Sequence, residues 1–121
     1  MAAAASVVLA ASALAAPRFE SEVTIDFSAA TKQGPSNASF FGRVKSEKNA
    51  CERRRKVTLY YKANGADFST EMGSDKTNAK GKWIVESVPV MDGSYFATVK
   101  AKEIRAGLCK GDTSPNVAFT R

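Results

Sequence analysis

The most informative absence in this sequence is that of histidine. None of the 121 residues is a histidine, which excludes catalysis, metal ligation and pH switching through an imidazole. The two cysteines are too few ligands for a structural zinc site built by this chain alone. The sequence also lacks the Asp-x-Asp-x-Asp-Gly loop that binds calcium and the glycine-rich loop that binds phosphates. We therefore expect a protein that is not an enzyme and that binds neither a metal nor a small-molecule cofactor.

What remains is an ordinary globular composition with an excess of positive charge. Hydrophobic residues make up 44% of the chain and charged residues 25%, and the length suits one domain. Eighteen Lys and Arg residues against twelve Asp and Glu residues give a net charge of +6. Because every charged side chain lies after Pro17, the whole net charge belongs to the residues that follow.

The amino-terminal segment has the features of a secretory signal. The apolar run Val7–Ala16 is shorter than the roughly 20 residues that a membrane span requires. Residues 13–15 (Ala-Leu-Ala) supply the small-x-small pattern of a cleavage site, although no Lys or Arg precedes the apolar run. An alanine-rich disordered tail and a short alanine helix are the alternatives. We predict that residues 1–15 are a signal peptide cleaved after Ala15, and that the protein is secreted or held at the cell surface.

The cysteine count is consistent with export. Cys51 and Cys109 are the only cysteines, and an even number in an exported chain usually indicates a disulfide. Two free thiols buried in a cytosolic protein are the alternative. We expect a Cys51–Cys109 disulfide, an interpretation that depends on the signal peptide.

Hydrophobic alternation with a period of two predicts strands along most of the chain, separated by turn-forming residues. The predicted strands are Ser21–Phe27, Ser39–Ser46, Lys56–Lys62, Phe68–Met72, Trp83–Val88, Ser94–Lys102 and Asn116–Arg121. About seven short strands of this kind indicate an all-β fold, an antiparallel β-sandwich of the immunoglobulin-like or prealbumin-like type. Residues 16–37 would form an N-terminal strand and linker, and residues 38–121 the sandwich core. The predicted core residues are Val23, Ile25, Val44, Val57, Leu59, Trp83, Val85, Tyr95, Ala97, Val99 and Phe119.

Five groups of residues within Ser39–Phe119 carry a resemblance to a known family. They are Gly42-Arg43-Val44, Cys51 with Arg55–Tyr60, Ser74–Asn78 running to Trp83, Gly93–Val99, and Cys109. Together they resemble the prealbumin-like sandwich family, which includes carboxypeptidase regulatory-like, transthyretin-like and collagen-adhesin B-type domains. The chain is most similar to the small, basic, single-disulfide versions that occur as secreted bacterial proteins. The resemblance implies a sandwich fold but little about function, since such domains serve as spacers, stalks and binding modules.

A cluster of basic residues is the main indication of function. The candidate anion-binding residues are Arg53, Arg54, Arg55, Lys56, Lys100 and Lys102. A cationic face attracts anionic polymers, such as cell-wall polysaccharide, lipid head groups or nucleic acid. The aromatic residues Tyr60, Phe40, Phe41 and Phe96 could stack on nucleic-acid bases. The alternative is that these charges only maintain solubility. We expect a monomeric structural, adhesion or cell-surface module, or else a binder of an anionic cell-surface polymer.

Overall fold

The protein is almost entirely β-structure. The computed structural model describes residues 16–29 and 37–120, so the predicted signal peptide, residues 1–15, lies outside the described residues. The strands are β1 (Arg18–Phe19), β2 (Glu22–Val23), β3 (Asp26–Ala29), β4 (Asn37–Lys45), β5 (Lys56–Ala63), β6 (Thr70–Lys76), β7 (Lys82–Pro89), β8 (Gly93–Val99), β9 (Lys102–Ile104), β10 (Gly107–Cys109), β11 (Asp112–Thr113) and β12 (Val117–Phe119). A short 3-10 turn occupies Asn49–Cys51. The predicted all-β sandwich is confirmed, with more strands than the expected seven.

Two antiparallel sheets form the sandwich. In the first, β4 pairs with β7 on one side and with β2 and β3 on the other. In the second, β5 pairs with β6 and β8, and the far edge of β8 pairs with β11 and β12. The two sheets meet through their apolar faces, where the rings of Phe40 and Tyr95 stack with their centroids 4.7 Å apart. Phe40 is therefore a core residue and is not available to stack on a ligand.

The core follows the predicted alternation closely. Nine of the eleven predicted core residues are buried, whereas Ile25 and Phe119 are only partly buried against the cluster. Ala38, Phe40 and Val88 complete the cluster. Because alternate residues of a strand point to opposite faces, this pattern places the intervening polar residues of β5 and β8 on the outer face of the second sheet.

Two aspartates join the sheets at their opposite edges. The Asp75 carboxylate on β6 accepts a hydrogen bond from the Ile84 amide on β7, with an O···N distance of 2.9 Å. The Asp112 carboxylate on β11 accepts one from the Val23 amide on β2, at 2.8 Å. Each aspartate satisfies an N–H group on the neighbouring sheet, so one side-chain hydrogen bond links the two sheets along each side.

A third, smaller sheet carries the disulfide. β10 pairs in parallel with β1 and antiparallel with β9. Cys109, the last residue of β10, is bonded to Cys51 at the end of the 3-10 turn, which confirms the predicted pairing. The predicted strand Ser94–Lys102 is divided between two sheets, because β8 ends at Val99 and β9 begins at Lys102. Ser21–Phe27 is similarly divided into β2 and the first residues of β3.

Gly81 illustrates how tightly one turn packs against β4. Its φ is +80°, and a Cβ atom there would lie 2.5 Å from the carbonyl oxygen of Val44. We expect Gly81→Ala to lower the free energy of unfolding by about 3 kcal/mol, measured by urea denaturation. Gly65 is the matched control, because its φ is +75° but nothing lies within 4 Å of a Cβ there. Gly65→Ala should cost only about 1 kcal/mol. Equal losses in the two variants would show that the backbone contact is unimportant.

Candidate functional site

The described residues contain no cluster typical of a metal site. Among residues 16–29 and 37–120, no three His, Cys, Asp or Glu side chains lie close enough together to hold a metal ion. The same part of the chain has no helix long and apolar enough to cross a membrane. The candidate site is the predicted basic cluster at the surface.

Arg55 does not belong to the exposed basic cluster, contrary to its assignment as a candidate anion-binding residue. The residue is 1% exposed, and Nη1 donates hydrogen bonds to the Cys51 carbonyl at 2.7 Å and to Ser21 Oγ at 3.1 Å. Nη2 donates to the carbonyls of Lys100 at 2.7 Å and Lys110 at 3.2 Å. Burial lowers the pKa of the Arg55 guanidinium, which nevertheless stays charged as an arginine does in proteins. Both terminal nitrogens of Arg55 therefore bind within the protein itself.

Burial of Arg55 follows from its position in the strand register. It immediately precedes β5, and its amide donates to Thr77 Oγ1 at 2.8 Å while its carbonyl accepts from the Thr77 amide at 2.9 Å. Alternation along the chain then points Arg55 inward with Val57, and Arg54 and Lys56 outward. A contiguous run of four basic residues is thus divided between the interior and the surface.

The other basic candidates gather around a groove on the outer face of the second sheet. This groove, which we call the basic groove, has a volume of about 290 Å³. Its lining residues include Arg54, Lys56, Thr58, Tyr60, Glu71, Lys100 and Lys102, with Arg55 beneath them. Arg53 is exposed nearby but does not line it. Four of the six predicted anion-binding residues therefore lie on one concave surface.

Strand register extends this positive charge across the sheet. Lys56 pairs with Lys76 on β6. Lys100 follows Val99, which pairs with Val57, so Lys100 lies beside Lys56 on the other side. These three lysines form a row across three adjacent chain segments, and all three are exposed. The sole ion pair within 4 Å in the described part of the chain, Lys110–Glu20, is elsewhere. Lys76 is not one of the six candidate anion-binding residues, and its place in this row follows from the register between β5 and β6.

The remaining lining of the groove is polar and aromatic. Tyr60 pairs with Glu71 on one side and with Phe96 on the other. The rings of Tyr60 and Phe96 stack on each other, with centroids 5.5 Å apart and planes inclined by 20°. Phe41 lies on the other sheet, paired with Ile84. Only Tyr60, of the four aromatic residues named from the sequence, lines the groove.

No protein-family model, curated protein or solved structure matches this chain. The resemblance to prealbumin-like sandwiches therefore stays a prediction beyond the β-sandwich itself.

Proposed function

We propose that this protein is an exported, non-enzymatic β-sandwich module that binds anionic polymers at or outside the cell surface through the basic groove. Two roles are expected from the sequence, a structural or adhesion module and, as the alternative, a binder of anionic polymers; the basic groove supports the second. The disulfide between Cys51 and Cys109 is consistent with an extracellular location, since such bonds persist in oxidising compartments.

One observation carries the proposal, namely the row formed by Lys76, Lys56 and Lys100. Like charges placed side by side on a sheet repel one another, so this arrangement is unfavourable without a counter-ion. In the described part of the chain none of the three has a carboxylate within 4 Å. A polymer with regularly spaced negative groups would neutralise the row and release its own bound counter-ions, which favours binding at low salt. Dispersed lysines serving only solubility would not need this alignment.

The test is retention on a heparin column and its dependence on salt. We expect the protein to bind at low ionic strength and to elute in moderate salt, because such binding is electrostatic. The variant Lys56→Ser/Lys100→Ser should bind about tenfold more weakly and show a shallower dependence on salt. These side chains are exposed, so the fold should be retained.

The matched control is Lys45→Ser/Lys82→Ser, which removes the same charge from exposed positions on the first sheet. We expect this variant to lose less than threefold in affinity, through the change in net charge alone. Equal losses of affinity in the two variants would show that binding depends on net charge alone and not on the basic groove. If the unaltered protein is not retained on the column, the proposed function is contradicted.

A further inference from the structure

We infer that the basic groove selects an acidic polysaccharide, a polymer carrying both carboxylate or sulfate groups and free hydroxyls, over a polyphosphate or a nucleic acid. The inference rests on the proposed function and narrows its ligand class. Three observations at the groove support it: an acidic residue among the cations, polar groups without protein partners, and aromatic rings that are already stacked.

The acidic residue is Glu71, which lines the groove with the basic residues and is exposed. In the described part of the chain it has no cation within 4 Å. An unneutralised carboxylate repels carboxylate, sulfate and phosphate groups alike, but a polyphosphate offers it no hydroxyl groups that could compensate for the repulsion. The same carboxylate accepts charge-assisted hydrogen bonds from sugar hydroxyls. Glu71 therefore opposes phosphate polymers and favours polymers whose acidic groups alternate with hydroxyls.

Two further polar groups are available to a sugar. Thr58 and Tyr60 line the groove, and in the described part of the chain neither hydroxyl makes a hydrogen bond to another side chain or to the backbone. A hydroxyl both donates and accepts, so each can pair with a sugar hydroxyl or ring oxygen. Arg54 and the lysines of the groove can bind the acidic groups of a sugar polymer, and the Thr58 and Tyr60 hydroxyls can bind its hydroxyl groups.

The aromatic residues argue against nucleic acid as the ligand. Single-stranded nucleic acids gain much of their affinity when bases stack on exposed aromatic faces. Here the Tyr60 and Phe96 rings cover one face of each other, Phe40 is buried, and Phe41 lies on the opposite sheet. The groove therefore has no series of open ring faces that could hold successive bases.

The experiment measures how polygalacturonate and inorganic polyphosphate bind to the full protein and to its Glu71→Gln variant, and how single-stranded oligothymidylate binds to the full protein. The substitution removes the negative charge and keeps the size of the side chain. We expect Glu71→Gln to bind polygalacturonate about fivefold more weakly, through loss of charge-assisted hydrogen bonds. It should bind polyphosphate about threefold more tightly, because repulsion is removed. Opposite shifts for the two probes are the signature of selection by Glu71.

The control is Glu86→Gln, an exposed carboxylate on β7 of the other sheet, which should leave both affinities within twofold. Thermal melting of each variant will verify that the fold is retained. If the protein binds both probes and Glu71→Gln tightens both, polyanion binding stands and the inference is overturned. Stronger binding of single-stranded oligothymidylate than of polygalacturonate would also overturn the inference. If no probe binds, the proposed function itself fails.

Discussion

Replacing Cys51 and Cys109 together by alanine should lower the free energy of unfolding by about 4 kcal/mol. The disulfide joins residues 58 positions apart, and the loop-length model assigns a constraint of this size about 4 kcal/mol of lost entropy in the unfolded chain. Since small domains have a total stability of only about 5–15 kcal/mol, this is a large fraction. The bond also fixes the small sheet, because Cys109 ends β10 and Cys51 ends the 3-10 turn.

Urea denaturation of the oxidised protein, with intact mass to verify the bond, measures this effect. Excess dithiothreitol provides the matched control. It should shift the unaltered protein by a similar amount and leave the double alanine variant unchanged. A loss below about 1 kcal/mol would mean that the unfolded chain is already compact around the two cysteines.

The fold was largely predictable because its dominant physical signal is local. In β5, Val57 and Leu59 alternate with Thr58 and Tyr60, and this pattern requires no knowledge of partners to indicate a half-buried strand. The break between β8 and β9, from Val99 to Lys102, was harder to predict, because the alternation continues while the backbone leaves one sheet for another. Strand ends depend on which hydrogen-bond partners are available, and those partners are distant in sequence.

The site was less predictable for a related reason. Composition identified a basic cluster, yet Arg55 carries the same charge as Arg54 and occupies the interior. Alternation with Val57 places Arg55 on the inner face, but the local sequence does not show what would bind its guanidinium there, because the acceptors come from segments up to 55 residues away. Glu71 and Lys76 lie next to Tyr60 and Lys56 because β6 pairs with β5. Alternation indicates which face a residue occupies, and only the register indicates its neighbours.

Replacing Arg55 by methionine should lower the free energy of unfolding by about 4 kcal/mol. Removing a buried charge can stabilise a protein, so the sign depends on what remains. Here the groups left behind include the backbone carbonyls of Cys51, Lys100 and Lys110, which no side-chain substitution removes. Each buried acceptor without a donor costs about 1–3 kcal/mol, and methionine fills the volume without donating. Loss of these hydrogen bonds would also release the main chain at Lys100, and the ligand affinity of the basic groove should fall.

Urea denaturation of the Arg55→Met variant tests this expectation, and the separate Arg53→Met variant is its control. Because Arg53 is exposed, its replacement should change the free energy of unfolding by less than about 0.5 kcal/mol. Arg55→Lys should recover only part of the loss, since an ammonium group cannot reach carbonyls spread around a planar guanidinium. Arg55 contacts the carbonyl of Cys51, so its effect and that of the disulfide should not be additive. Once the bond is broken, the segments that Arg55 joins are already loosened, and Arg55→Met should then cost less. An unchanged or increased stability in Arg55→Met would contradict the role of Arg55 as the polar link among these segments.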